Sequence, residues 1–140
     1  NIYTVNMRYT HENQNLDASF LLGNTLKRDN DLNEFQVNGS YYWHNTFGGS
    51  VGYFDTWGST DPLLYAGNRT FKPDSRGFIF QIDATPFGHD ASSSDPRFNM
   101  RVGLQYVAYT DFNGASSNFD GAGRDAADNN TLRIFAWFAL

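Results

Sequence analysis

Cysteine is absent from the 140 residues. That excludes disulfides, cysteine-ligated zinc, iron–sulfur clusters, covalent c-type haem and a cysteine nucleophile within this stretch. Basic residues are scarce: Lys and Arg number 10 against 15 Asp and Glu, a formal charge of −5. A nucleic-acid binder needs a basic face to neutralise phosphates, so nucleic acid is not an expected partner. Apolar runs extend only a few residues, far short of the roughly 20 that a transmembrane helix requires. No signal peptide is visible, and the chain opens on Asn1, which reads as a mature chain or a piece of a longer one. No internal repeat, low-complexity tract or composition break divides residues 1–140, so a single domain or barrel segment is expected.

Aromatic residues, by contrast, make up 17 % of the chain, while charged residues reach only 18 %. Mean hydropathy is nevertheless −0.54. The polarity comes from Asn, Ser, Thr, Gln, Gly and Asp. Such a mixture suits strands with one greasy face and one wet face better than a soluble globule with a Lys/Glu surface.

Alternation along the chain has that form. Tyr3, Val5, Met7 and Tyr9 fall on one parity, and Asn6, Arg8 and Thr10 on the other. After Glu12–Asn15 a second run sets Leu16, Ala18, Phe20 and Leu22 against Asp17 and Ser19. The polar stretch Lys27–Asp31 precedes a third, with Phe35, Val37, Tyr41 and Trp43 opposite Glu34, Gln36 and Asn38. A tight turn at Asn45-Thr46 leads into Phe47, Val51 and Tyr53. Phe78, Phe80 and Ile82 then alternate with Gln81 and Asp83. Phe98, Met100, Val102, Leu104 and Tyr106 oppose Arg101 and Gln105. Leu132, Ile134, Ala136, Phe138 and Leu140 oppose Arg133, Phe135 and Trp137. The expectation is an all-β chain: an antiparallel up-and-down transmembrane β-barrel showing about seven strands, eight-stranded in full or the C-terminal portion of a larger barrel.

Membrane location follows from the rows. In lipid only helices and closed barrels satisfy their backbone groups, and a barrel strand turns an apolar side to lipid and keeps a polar side for its lumen. Arg8, Asp17, Glu34, Gln36 and Asn38 are the lumen-facing candidates of the first half; Gln81, Asp83, Arg101, Gln105 and Arg133 are those of the second. Charges facing one another across a narrow lumen set ion preference through the local field. In a filled small barrel they would only pair. Tyr41, Trp43 and Phe47 flank the tightest turn, Phe87 and Phe98 a medium connection, and Phe138 the chain end. They are the candidates for an interfacial aromatic belt. Short connections are expected on one side and long ones on the other. With seven strands and Leu140 in the periplasm, Asn1 falls outside the cell, which implies a missing upstream strand.

The stretches GYFDTWGSTDPLLY (52–65), PDSRGFIFQIDATPFG (73–88) and the run from Asn99 to Leu140 resemble the C-terminal part of a family of porin-like outer-membrane proteins of proteobacteria. The resemblance covers about the last hundred residues. It implies a location in the outer membrane of a Gram-negative bacterium and passive diffusion of small solutes through a polar lumen. Outer-membrane lipid and lipopolysaccharide are the expected surroundings. The terminal strand of alternating hydrophobics resembles the signal read by the barrel-assembly machinery. Some family members sit near cytochrome-associated proteins, so a structural barrel sheathing or anchoring a periplasmic electron-transfer partner is an alternative, as is a homo-oligomer. A soluble lipocalin-like ligand-binding barrel is a second alternative.

No enzyme chemistry is expected. Ser92–Ser94 beside His89 and Asp90 lie in one loop, and a triad is defined by geometry rather than adjacency. His11, His44 and His89 lack partners at metal-site spacing and read as residues of the short-turn rim. Asp111, Asp120, Asp125 and Asp128 miss the spacing of a calcium loop and read as a solvated extracellular loop. Neither a metal nor a cofactor is expected.

Overall fold

The computed structural model describes residues 1–17, 27–86 and 99–139. Six strands form one antiparallel sheet in chain order: β1 (Ile2–Asp17), β2 (Lys27–Trp43), β3 (Phe47–Gly58), β4 (Ser75–Ala84), β5 (Asn99–Asp111) and β6 (Thr131–Ala139). Every strand pairs with its sequence neighbour, the simplest up-and-down order. Among the described residues no ladder joins β6 to β1, so the sheet has two free edges.

The strand count differs from the sequence reading near the start. Glu12–Asn15, expected as a turn, continues β1, and Lys27–Asp31, expected as a connection, opens β2. The two run in unbroken register from Ile2↔Tyr42 to Asp17↔Lys27. Of the expected strand Leu16–Leu22, only Leu16 and Asp17 lie within the described residues. Beyond Tyr9 and Phe35 both rows of this hairpin are polar apart from Leu16 and Leu32, so alternation disappears although pairing does not. Six strands place Ile2 and Ala139 at the same end, together with the His44–Thr46 turn and the start of the connection after Ala84. The count among the described residues is six, so the argument that Asn1 lies opposite the chain end loses its premise. The long connections 59–74 and 112–130 share the other end.

At the tight turn His44 and Asn45 both take positive φ, 48° and 57°. The Thr46 N–H donates to the Trp43 carbonyl at 3.0 Å. Asparagine tolerates this left-handed region; histidine is less usual there and stacks its ring on Trp43 at 4.6 Å. The expected turn at Asn45-Thr46 is thus displaced by one residue.

Among the described residues no second layer covers the sheet. Buried apolar residues among those described are Phe119 and Ala126, and both belong to the loop 112–130. Among the described residues no helix is long and apolar enough to cross a membrane, a fact without bearing on crossing by strands.

Candidate functional site: the concave polar face

The ladder register sorts the strands into two rows. Arg8, Glu34, Gln36, Asn38, Gln81, Asp83, Arg101, Gln105 and Arg133 all fall in one of them. Asp17 closes β1 opposite Lys27, and its side chain lies outside the described residues. Tyr3, Val5, Val37, Val51, Ile82, Leu104 and Ile134 occupy the opposite row.

Crowding separates the two faces. A Cβ at Gly103 would meet Phe135 Cζ at 2.5 Å, and one at Gly52 would meet Val37 O at 3.2 Å. Gly48 and Gly77, in the same polar row, are tighter still, against the Tyr42 ring and the Ala108 carbonyl. In the apolar row a Cβ at Gly39 would meet nothing within 4 Å, and one at Gly49 only Gln81 O at 3.9 Å. Each buried sheet residue described, Asn30, Gly52, Gly77 and Asp83, also lies in the polar row. Apolar-row side chains stand clear: Ile134 is 76 % exposed and Val5 74 %. The polar row therefore lines the concave side.

Two pairs of opposite charge lie on the concave side. Arg101 from β5 grips Asp83 of β4 with two bonds, Nε to Oδ2 at 2.8 Å and Nη2 to Oδ1 at 3.0 Å. Gln81 Nε2 donates to the same carboxylate at 3.0 Å, and Arg101 also donates to the Tyr42 hydroxyl. Asp83 keeps only 2 % of its side-chain surface. Arg8 pairs with Glu34 across β1 and β2 in a far more open setting. Gln105 donates to Gln81 at 3.0 Å. Gln36 and Asn38 continue the row half-buried. Among the described residues no carboxylate pairs with Arg133, whose guanidinium lies 5.9 Å from the Phe135 ring centre. Tyr42 was missed in the sequence although its parity matched Asn38 and Ser40.

Aromatic residues bound the convex face at both ends. Tyr41, Trp43, Phe47 and Phe138 lie at the short-turn end, each about half exposed. Phe87 and Phe98, expected beside them, are outside the described residues. Toward the long-loop end the same face carries Tyr9, Tyr53, Trp57 and Tyr106, unforeseen from the sequence. The tyrosine hydroxyls meet polar partners: Tyr9 donates to Asn33 at 2.8 Å, Tyr53 to Asp55 at 3.3 Å, and Tyr106 accepts from Asn130 at 3.0 Å. Such hydroxyl pairing is what an amphipathic ring at a boundary provides. From Phe35 to Trp43 the band rises about 27 Å at 3.4 Å per residue, or about 21 Å at a 40° tilt, near the roughly 25 Å of outer-membrane barrels.

The long loops fold inward from their end of the sheet. Phe54 and Tyr109 meet edge-on over Gly77 on the concave face, with ring centres 5.5 Å apart. Tyr109 contacts Phe112 at 5.1 Å, and Phe112 contacts Phe119 at 5.0 Å. Asp61, 1 % exposed, accepts from Asn30 of β2 at 2.7 Å and from the N–H groups of Leu63 and Leu64. The loops also bind each other: Arg69 N–H donates to the Phe119 carbonyl at 2.9 Å, and Asn113 Nδ2 to Asn68 Oδ1 at 2.7 Å.

The remaining polar candidates have protein partners. Asp111 pairs with Arg76 at 2.8 Å, Asp125 accepts from Asn118 N–H, and Asp128 from Asp125 N–H. Asp120 accepts from the N–H groups of Ala122 and Arg124, which hold its carboxyl below the usual range. His11 lies within β1 rather than at the short-turn rim, its Nδ1 2.8 Å from Asn33 Oδ1. His89 and Ser92–Ser94 are outside the described residues. Comparison with protein-family models, with curated proteins and with solved structures finds no match.

Proposed function

We propose that this chain supplies part of the wall of an outer-membrane β-barrel through which small solutes diffuse passively. The observation that carries the reading is the crowding of the polar row against the open apolar row, as in a sheet curved around its polar side. Among the described residues the apolar row is convex and uncovered, with aromatic residues at both ends, while the concave row holds amides and the Asp83–Arg101 and Arg8–Glu34 pairs. Lipid outside and water inside satisfy both rows at once. A lipocalin-like barrel, binding an apolar ligand, would turn the apolar row inward.

Free edges in lipid leave backbone groups unpaired, at several kcal/mol each. The reading therefore includes closure through strands outside the described six, to an even total of at least about eight. β6 carries the alternating hydrophobics up to Phe138 that make it the candidate signal for assembly machinery.

Liposome swelling tests the function. Protein purified from outer membranes and reconstituted should admit small neutral sugars. Correctly folded protein that leaves the vesicles as tight as empty ones would refute the pore.

A further inference from the structure

We propose that Gln105 and Arg133 form a recognition site for small hydroxycarboxylates, solutes with a hydroxyl beside a carboxylate; this rests on the pore reading above. The site is set up from β4. Asp83, gripped by Arg101, accepts Gln81 Nε2 at 3.0 Å. A carboxylate paired with a guanidinium can only accept, so the Gln81 amide turns its nitrogen to Asp83. Its oxygen Oε1 then accepts Gln105 Nε2 at 3.0 Å. Reversing either amide would set oxygen against oxygen or nitrogen against nitrogen. The ion pair thus orients two amides in series, and the second reaches β5 with its oxygen Oε1 unspent.

Arg133 stands directly across the β5–β6 ladder from Gln105, a placement that puts the two Cβ atoms about 5 Å apart. Its side chain is exposed, and its guanidinium lies 5.9 Å from the centre of the Phe135 ring. That ring is itself seated over Gly103. Among the described residues Arg133 has no carboxylate partner, whereas Arg8 and Arg101 each have one. A guanidinium offers a fork of donors that one carboxylate fills with two bonds. The Gln105 oxygen beside it takes a hydroxyl proton. A hydroxycarboxylate satisfies both groups at once. A plain carboxylate leaves the amide oxygen without a donor, and a polyol gives the guanidinium no anion. Selectivity here depends on the fixed sense of the amides: a Gln105 side chain free to turn would present its N–H as readily as its oxygen.

The test is titration calorimetry on the protein purified from outer membranes in detergent, with three six-carbon probes. D-gluconate has both groups, D-sorbitol the hydroxyls alone, and hexanoate the carboxylate alone. Gluconate should bind at least tenfold more tightly than either of the others. Arg133→Gln should remove gluconate binding, and Arg133→Lys, which keeps the charge and loses the fork, should weaken it several-fold. Gln105→Leu should bring gluconate down to the level of hexanoate and leave hexanoate unchanged. Gln81→Leu, at a residue that touches no solute, should narrow the gap between gluconate and hexanoate by releasing the Gln105 amide; a wall that is merely charged would show no such effect. Gluconate and hexanoate binding alike in the wild type, no gluconate binding, or gluconate binding unchanged in Arg133→Gln would overturn the site. Tight vesicles in the swelling assay, with gluconate selectivity intact in detergent, would refute the pore and leave the site standing. Permeable vesicles built from protein that ignores gluconate would do the reverse.

Discussion

The Tyr42 ring covers Gly48, its partner across the β2–β3 ladder, so closely that no Cβ fits at position 48. The glycine makes room for the ring, and the ring brings its hydroxyl to Asp83 and Arg101. On the convex face Gly39 has no such neighbour. Gly48→Ala should therefore cost about 1–3 kcal/mol by overpacking. Gly39→Ala should be neutral or slightly stabilising, because glycine weakens a strand interior. Urea unfolding from lipid vesicles measures both. Tyr42→Ala should relieve much of the Gly48→Ala penalty in the double variant.

The two ion pairs on the concave face differ in burial and so in worth. Arg101→Met leaves the Asp83 carboxylate, 2 % exposed, without its cation. A loss of about 3 kcal/mol is expected, the lower end for breaking a buried pair, since Arg101 itself retains 37 % exposure. Arg8→Met breaks a pair whose side chains are 64 % and 35 % exposed and should cost less than about 1 kcal/mol. Equal losses in the same unfolding assay would deny the difference in environment.

Adjacent positions on β5 should respond oppositely to one charge. Leu104→Arg places a guanidinium in the convex row and should cost roughly 2–4 kcal/mol of stability in lipid. Gln105→Arg places it beside Gln81 and Arg133 on the concave side. It should fold normally and shift ion preference toward anions, read as reversal potential in a salt gradient.

Acid should loosen the 112–130 loop at one turn. The N–H groups of Ala122 and Arg124 bond the ionised Asp120 and depress its pKa in the fold. Stability from this source is full above the ordinary carboxylate pKa of about 4 and disappears as pH falls through the depressed value. Amide exchange at Ala122 and Arg124, corrected for its intrinsic pH dependence, should accelerate at low pH. In Asp120→Asn, whose amide oxygen accepts hydrogen bonds without titrating, that acid step should vanish.

Legibility in the sequence followed the physics of each region. Where one row met the convex side and the other the concave side, as in Phe78–Ala84 and Met100–Ala108, period-two alternation marked the strands and assigned Asp83, Arg101 and Gln105 to one face. The upper part of the β1–β2 hairpin had no apolar row, so Glu12–Asn15 looked like a turn. The unit formed by the two long loops was hidden for another reason. Its contacts join residues far apart in sequence, such as Asn68 with Asn113 and Arg69 with Phe119. Isolated aromatics at 112 and 119 in a Gly/Asn-rich stretch were the available sign, because a fully solvated loop has no use for them.

The central claim is that the apolar row meets lipid and the polar row meets water. Because the chain has no cysteine, each one introduced along β6, from Leu132 to Trp137, is a unique label site. Single-cysteine variants in proteoliposomes would be labelled with a fluorophore and exposed to a quencher carried on lipid chains. In parallel, each free thiol would be timed against a membrane-impermeant reagent. The account predicts strict alternation: strong lipid quenching at 132, 134 and 136, and fast aqueous reaction at 133, 135 and 137. Uniform behaviour along the strand, or alternation of the opposite phase, would contradict it.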